Sequence, residues 1–288
     1  MKRNRDMLKV QEPGFFTSVQ DRGRTGYRHM GIPEAGTSDR VAADRANLLL
    51  ENPPEAAVLE IAMKGPVAVF EAETYMALCG AELEAELNGA PLSMGQVYRV
   101  PAESVLRCGH MLQGLRSYLA VKGGFQTPLV FGSRSYFFPV TPQRQVKSGQ
   151  AIPYAATRDF EPKLLKINAE EFWKVEKLPV YPGPEFEWLT PEQKHQLFSQ
   201  RFTLDKEYDR MACQLQQALP GHALQMITSA TLPGTVQLTP SGRLIALLRD
   251  GQTTGGYPRI LQLPERAISV LAQKHVGDTI RFQASAGI

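Results

Sequence analysis

Cysteine is scarce in this 288-residue chain: Cys79, Cys108 and Cys213 are odd in number and widely separated. No pair stands close enough to close a redox or metal site, so a disulfide framework is excluded and a reducing, cytoplasmic setting is expected. Cys108 and His110 lie two apart, but partners for a metal or a nucleophile are missing, and the pair reads as a buried thiol beside a surface histidine. No metal site is expected. No apolar signal core follows Met1 and no run of about 18 apolar residues occurs, so neither export nor a membrane span is expected. Charge of one sign is also lacking. With 32 Lys and Arg against 29 Asp and Glu, the net charge is +3, and basic residues alternate with acidic ones, which disfavours nucleic acid as a partner. The densest basic stretch, Lys2-Arg3-Asn4-Arg5, reads as a solvated tail.

Signature motifs are missing too. The chain has no Gly-x-x-x-x-Gly-Lys-Ser/Thr phosphate loop, no Gly-x-Gly-x-x-Gly turn, no His-Glu-x-x-His helix and no Gly-x-Ser-x-Gly elbow. These absences exclude a self-contained kinase, dehydrogenase, zinc protease or ordinary serine hydrolase.

What is present is turn chemistry and short apolar runs. The 24 glycines and 21 prolines are spread along the chain, and 43% hydrophobic residues suffice for a buried core. Strands are expected at Met7–Val10, Phe15–Val19, Val67–Phe70, Tyr75–Cys79, Leu83–Leu87, Gln96–Val100, Ser104–Cys108 and Ser117–Val121, with a hairpin turn at Asn88-Gly89. A helix over Arg40–Leu50 is capped by Ser38 or Asp39 and stopped by Asn52-Pro53-Pro54. In the second half, Thr190-Pro191-Glu192-Gln193 combines an N-cap, an N1 proline and a capping-box glutamine. A further helix is expected over Glu265–Gln273 and a strand over Thr279–Phe282. So many short strands imply barrels or sandwiches. The Pro- and Gln-rich stretch 139–162 places a boundary between an N-terminal β-rich lobe, 1–145, and a C-terminal lobe, 146–288.

One loop concentrates chemistry. Arg249-Asp250-Gly251-Gln252-Thr253-Thr254-Gly255-Gly256-Tyr257-Pro258-Arg259 runs between the apolar segments Leu244–Leu248 and Ile260–Leu263, both read as strands. Gly255 and Gly256 allow close approach of the backbone, while two hydroxyls, one carboxamide and backbone N–H groups suit a carboxylate, a phosphate or the oxyanion of an attacked amide. Asp250 is positioned to orient or deprotonate a neighbour. The ordinary alternative is a hairpin whose Thr and Asp side chains satisfy turn backbone. Guanidinium groups in glycine-led loops, Arg24 in Gln20–Tyr27 and Arg134 beside Ser135 in Gly132–Ser135, suit the grip of an anion, as does Arg210 in Tyr208-Asp209-Arg210-Met211. Each also reads as an ordinary structural ion pair.

Taken together, SVQDRGRTGYRHMGIPEAGTSDRVAADRANLLLEN, AVLEI, SYLAVKGGF, FGSRS, YPGPEFEWLT, YDRM, LPGTVQLTPSG and DGQTTGGYPRI resemble, in order, the biotin-dependent carboxyltransferase-like family. That family includes allophanate hydrolase subunit 2-like proteins, KipA and the 5-oxoprolinase component PxpC. The resemblance covers about Leu8 to Phe282. It departs from the family pattern at Ala212-Cys213-Gln214 after the Asp209-Arg210-Met211 motif, and at Tyr136-Phe137-Phe138-Pro139 after Ser133-Arg134-Ser135.

The resemblance implies a mainly β protein of two cyclophilin-like β-barrel lobes with a few short helices. It further implies work in a complex with a KipI-like (PxpB-like) subunit and a PxpA-like subunit, which opens the small molecule 5-oxo-L-proline to L-glutamate at the expense of ATP. In that reading Asp250 and Gln252 are catalytic, and Thr253, Thr254, Gly255, Tyr257, Arg24, Arg134, Ser135 and Arg210 bind substrate. ATP is then bound in the complex, since the chain has no phosphate loop. Two alternatives stand: a KipA-like antagonist that binds a KipI-like kinase inhibitor, and a carboxyltransferase subunit acting on urea or another small amide with a biotinylated partner. No lysine lies between two methionines, so biotin is not carried on this chain.

Overall fold

A computed structural model describes residues 6–168 and 170–285; the basic stretch Lys2–Arg5 lies outside the described residues. The chain divides into two compact units. One contains residues up to Arg24 together with Ala35–Glu171, and the other contains Thr25–Glu34 together with residues from Phe172 onward.

The first unit is built on a nine-stranded sheet. Its strands are β1 (Asp6–Glu12), β2 (Phe16–Gln20), β3 (Val58–Ala62), β4 (Val67–Phe70), β5 (Thr74–Leu87), β6 (Ala90–Pro91), β7 (Val97–Val100), β8 (Ser104–Val121) and β9 (Ala151–Tyr154). Hydrogen bonding follows the order β2-β3-β8-β4-β1-β9, and β5 pairs with β6, β7 and β8. Two pairs of strands expected to be short and separate are fused into β5 and β8. Register shifts between Gly80 and Ala85 let the long strands bend without ending, and Gly80 itself has φ 106° with the Arg116 carbonyl where a Cβ would sit. Asn88 and Gly89 both take positive φ in the turn from β5 to β6, as an Asn-Gly hairpin demands.

Helix α1 (Arg40–Leu49) starts at Asp39, whose carboxylate accepts the Ala42 N–H at 3.0 Å. It buries Ala42, Ala46 and Leu49 in one cluster with Ala77, Tyr118 and Ala120 of β5 and β8. The other side of the core joins Leu8, Phe70 and Tyr154 with Leu59, Leu78 and Leu119, each side chain contributing about 1.5–3 kcal/mol by leaving water. Strand β9 pairs antiparallel with β1 through Leu8↔Ile152, so residues just past 145, which the sequence groups with the second lobe, complete the sheet of the first unit.

The second unit is a closed barrel. It comprises β10 (Lys177–Pro182), β11 (Phe202–Tyr208), β12 (Ala212–Ala218), β14 (Thr235–Leu238), β15 (Arg243–Leu247), β17 (Arg259–Gln262) and β18 (Thr279–Ala284), in the order β10-β17-β14-β15-β12-β11-β18. Parallel pairing of Leu178 with Phe282 closes the ring between β10 and β18. Alternation along the strands sends Leu178, Val180, Phe202, Leu204, Leu215, Leu244 and Ile280 into the interior, all fully buried. Among the described residues, the short strands β13 (Ser229–Ala230) and β16 (Thr254–Gly255) pair only with each other.

Helix α2 (Pro191–Ser199) carries the expected capping box: Gln193 N–H donates to Thr190 Oγ1 at 3.2 Å and Thr190 N–H to Gln193 Oε1 at 2.9 Å. Replacing Thr190 by Ala removes one of these bonds and is expected to lower stability by about 1 kcal/mol, read as a shift in the denaturant midpoint at unchanged slope. Helix α3 (Glu265–Leu271) buries Ala267, Ile268, Val270 and Leu271.

The mainly β class therefore stands, with the barrel fully closed in the second unit and the first unit's sheet an open half-barrel. Among the described residues no helix is long and apolar enough to cross a membrane.

Candidate functional site

The loop Arg249–Arg259 is not a hairpin. Its flanking strands β15 and β17 both pair with β14 and not with each other, so the loop crosses over the end of β14. It is held open along its length. Within it β16 pairs with β13 through Ser229↔Gly255 and Ala230↔Thr254, and beside that ladder Thr231 N–H donates to the Thr253 carbonyl at 3.0 Å. Thr231 Oγ1 donates to the Gln252 carbonyl at 2.5 Å.

Gly255 sits where two carboxamides converge: a Cβ there would lie 2.4 Å from Gln237 Nε2 and 2.8 Å from Gln252 Nε2. Any larger residue would push these two side-chain ends aside, so the glycine is accounted for by close approach and not by turn geometry. Gln237 is buried at this point, whereas Gln252, Thr254, Gly256 and Tyr257 face solvent and Thr253 is half-buried. The exposed carboxamide and hydroxyls can donate to a carbonyl or an anion.

Asp250 does not stand open as a base. Arg210 grips it as a fork, Nε to Oδ2 at 2.9 Å and Nη2 to Oδ1 at 3.0 Å, with the two side chains 9% and 15% exposed. The backbone repeats the connection, since Asp250 N–H donates to the Arg210 carbonyl at 3.0 Å. Arg210 is thereby committed to Asp250, and the pair fixes the first turn of the loop to the corner between β11 and β12. At the other end Arg259 is committed to Glu185: its Nε and Nη2 reach the two carboxylate oxygens at 2.9 and 2.7 Å, and Nη1 donates to the Ala230 carbonyl at 2.7 Å. The Arg259 hydrogen bond holds the Glu185 carboxyl below the usual carboxylate range.

Arg24, Arg134 and Ser135 belong to the first unit, where the two polar motifs meet although more than a hundred residues separate them. Asp21 is the centre. Its carboxylate accepts from Ser133 Oγ at 2.6 Å, Ser135 Oγ at 2.7 Å, Arg134 N–H at 2.6 Å and Gly23 N–H at 2.8 Å. Ser135 Oγ in turn accepts the Asp21 N–H at 3.0 Å. Arg24, fully buried, donates to the Ser135 carbonyl, and Arg134 Nη1 donates to the Thr127 carbonyl. Gly36 closes over this turn so tightly that a Cβ would lie 2.9 Å from the Asp21 carbonyl. Both arginines thus bind the backbone of their own unit.

The sequence pattern did not single out Arg28, Thr231 or Gln237, which support the loop from elements remote in sequence. Arg28 stands in the glycine-rich run Gly23–Gly31, the only local signal that it carried. Cys79 and Cys108 are buried, and burial pushes both thiols up to about 12, which leaves neither reactive at neutral pH.

A closed barrel with an ordered, donor-bearing crossing loop, together with a half-barrel sheet, defines a two-unit β protein with exposed polar groups on that loop. The chain matches the model of the carboxyltransferase domain, subdomain A and B, over residues 30–284. It belongs to that family. It is 33% identical over 282 residues to the C subunit of the 5-oxoprolinase of Escherichia coli (strain K12), covering 96% of this chain and 90% of that protein. It is 27% identical to the urea amidolyase of Lachancea kluyveri, again over 96% of this chain but only 17% of that protein. The crystal structure of TTHA0988 superposes with a TM-score of 0.89 at 31% identity, over 97% of this chain; the chain spans 56% of that one.

Proposed function

We propose that this chain is the C-type subunit of an ATP-dependent 5-oxoprolinase, which opens 5-oxo-L-proline to L-glutamate together with KipI-like (PxpB-like) and PxpA-like subunits in the cytoplasm. The supporting observation is the near end-to-end correspondence with the C subunit of a 5-oxoprolinase, against a correspondence with only a small part of the urea amidolyase. In this reading the Gln252 carboxamide and the Thr253 and Thr254 hydroxyls donate to the lactam carbonyl oxygen as charge gathers on it, with Gly255 and Tyr257 shaping the approach. The Asp250–Arg210 pair orients the loop. Arg24, Arg134 and Ser135 organise the Asp21 turn of the first unit. ATP is bound in the complex and no biotin is carried here.

The test is reconstitution. The purified chain, mixed with KipI-like and PxpA-like subunits, ATP and 5-oxoproline, is expected to release glutamate only when all components are present. Replacing Gln252 by Ala removes one donor and is expected to lower kcat about 10²-fold without changing the melting temperature. A stable complex that never releases glutamate would favour the KipA-like binding role instead. The urea amidolyase correspondence favours a second reading, carboxyl transfer to a small amide, and activity that depends on a biotinylated partner would select it.

A further inference from the structure

We propose that Arg28 grips the carboxylate of the substrate beside the Gln252–Thr254 loop, an assignment that rests on the 5-oxoprolinase reading. Arg28 opens a single 3₁₀ turn, Arg28–Met30, in the Thr25–Glu34 segment that clusters with the barrel unit. Its Nη2 donates to the Thr231 carbonyl and approaches the Gln252 carbonyl at 3.4 Å. Since Thr231 also bonds Gln252 and Thr253, the guanidinium reaches the backbone that carries the candidate donors.

Elimination singles it out. Of the arginines around the loop, Arg210 spends its fork on Asp250, Arg259 spends its fork on Glu185 and its remaining terminal nitrogen on Ala230, and Arg249 pairs with Glu265. Arg28 keeps one terminal nitrogen, Nη1, that is screened from water and has no hydrogen-bond partner among the described residues. A charged donor left in that condition is costly, and an incoming carboxylate would relieve it. Burial lowers the Arg28 pKa, opposed by the charge of Glu34, the acidic group that acts on it; a guanidinium nevertheless stays protonated at neutral pH. The Arg28–Met30 turn buries no residue, so it can yield as a ligand seats.

The chemistry fits a compound with two polar ends. A lactam carbonyl would face the loop donors while a carboxylate meets the guanidinium, whose planar geometry matches it better than an ammonium would. Such a division explains recognition of a cyclic amide that is also an acid.

Binding measured by calorimetry or NMR tests this. The full chain is titrated with 5-oxo-L-proline and with 2-pyrrolidinone, the same lactam without the carboxylate. The wild-type chain is expected to favour 5-oxoproline by at least about tenfold, the worth of one charge-assisted hydrogen bond. Arg28→Gln is expected to bind both ligands alike, and Arg28→Lys, which keeps charge but loses the fork, to fall between; should the glutamine variant fail to fold, the lysine variant reads the same difference. Equal binding of the two ligands to the wild-type chain, a preference surviving in Arg28→Gln, or binding of neither ligand by the chain or the assembled complex would each overturn the assignment. Turnover separates it from the reading beneath it: an Arg28-dependent preference without glutamate release sinks the 5-oxoprolinase reading and leaves the grip, whereas release with an Arg28-independent preference sinks the grip alone.

Discussion

Replacing Asp21 by Ala is expected to lower the unfolding free energy by about 3–5 kcal/mol and the melting temperature by roughly 10 °C. The carboxylate is the shared acceptor for two hydroxyls and two backbone N–H groups, in a turn where Asp21, Ser133 and Ser135 are all buried. Alanine would strand several donors at once. Asp21→Asn, which keeps one carbonyl acceptor and the same shape, is expected to lose about half as much. Differential scanning calorimetry of the two variants decides the matter: an Asp21→Ala protein melting within about 2 °C of the parent would mean that the 132–135 loop is held by other contacts. The same experiment bears on Arg24, whose bond to the Ser135 carbonyl has meaning only while that loop is in place.

The second large effect concerns Arg210. Removing it leaves the mostly buried Asp250 carboxylate without its fork, and breaking such a pair from one side costs about 3–5 kcal/mol. Arg210→Ala is therefore expected to destabilise strongly, while the double variant Arg210→Ala/Asp250→Ala loses less than the sum of the two single changes, with a coupling of about 1–3 kcal/mol. Additive losses in urea titrations would contradict the geometry. The catalytic side of the question is answered by Asp250→Asn. If the carboxylate serves to anchor the loop, the assembled complex keeps its turnover within about tenfold at temperatures where it is folded. Complete loss of turnover at an unchanged melting temperature would instead return Asp250 to the part of general base.

Local rules carried much of the fold. Caps announce helices because a cap is a contact over three residues: the Thr190 box formed as read, and of the two candidates Ser38 and Asp39 it is Asp39 that caps the first helix. The strands β4, β7, β15 and β17 follow from apolar runs bounded by turn residues. The rest depends on partners that a local pattern cannot name. Gly80 looks like a strand end, but in the sheet it is a bulge that lets β5 continue along β8. The Gly255-containing loop looks like a hairpin because its two apolar flanks are neighbours in sequence; in the barrel, β14 lies between them. At the site, the residue types in Gln252–Thr254 and Asp250 were visible as a concentration of donors beside an acid. That Asp250 would be spent on Arg210, 40 residues away, was not, because ion-pair choice is decided by tertiary approach. Arg28 escaped notice for the same reason: a single arginine in a glycine-rich run has no pattern until Thr231 and Gln252 come beside it.

The threading of the polypeptide has a consequence for how the molecule is made. Residues 25–34 are synthesised early, yet the body that they join begins only at Phe172. On a ribosome the half-finished sheet would thus emerge with a dangling ten-residue tether awaiting its destination for on the order of ten seconds. A gene cut between the two bodies would yield a C-terminal half that arrives without the strip that bears Arg28. Co-expression of both fragments would supply that strip in trans.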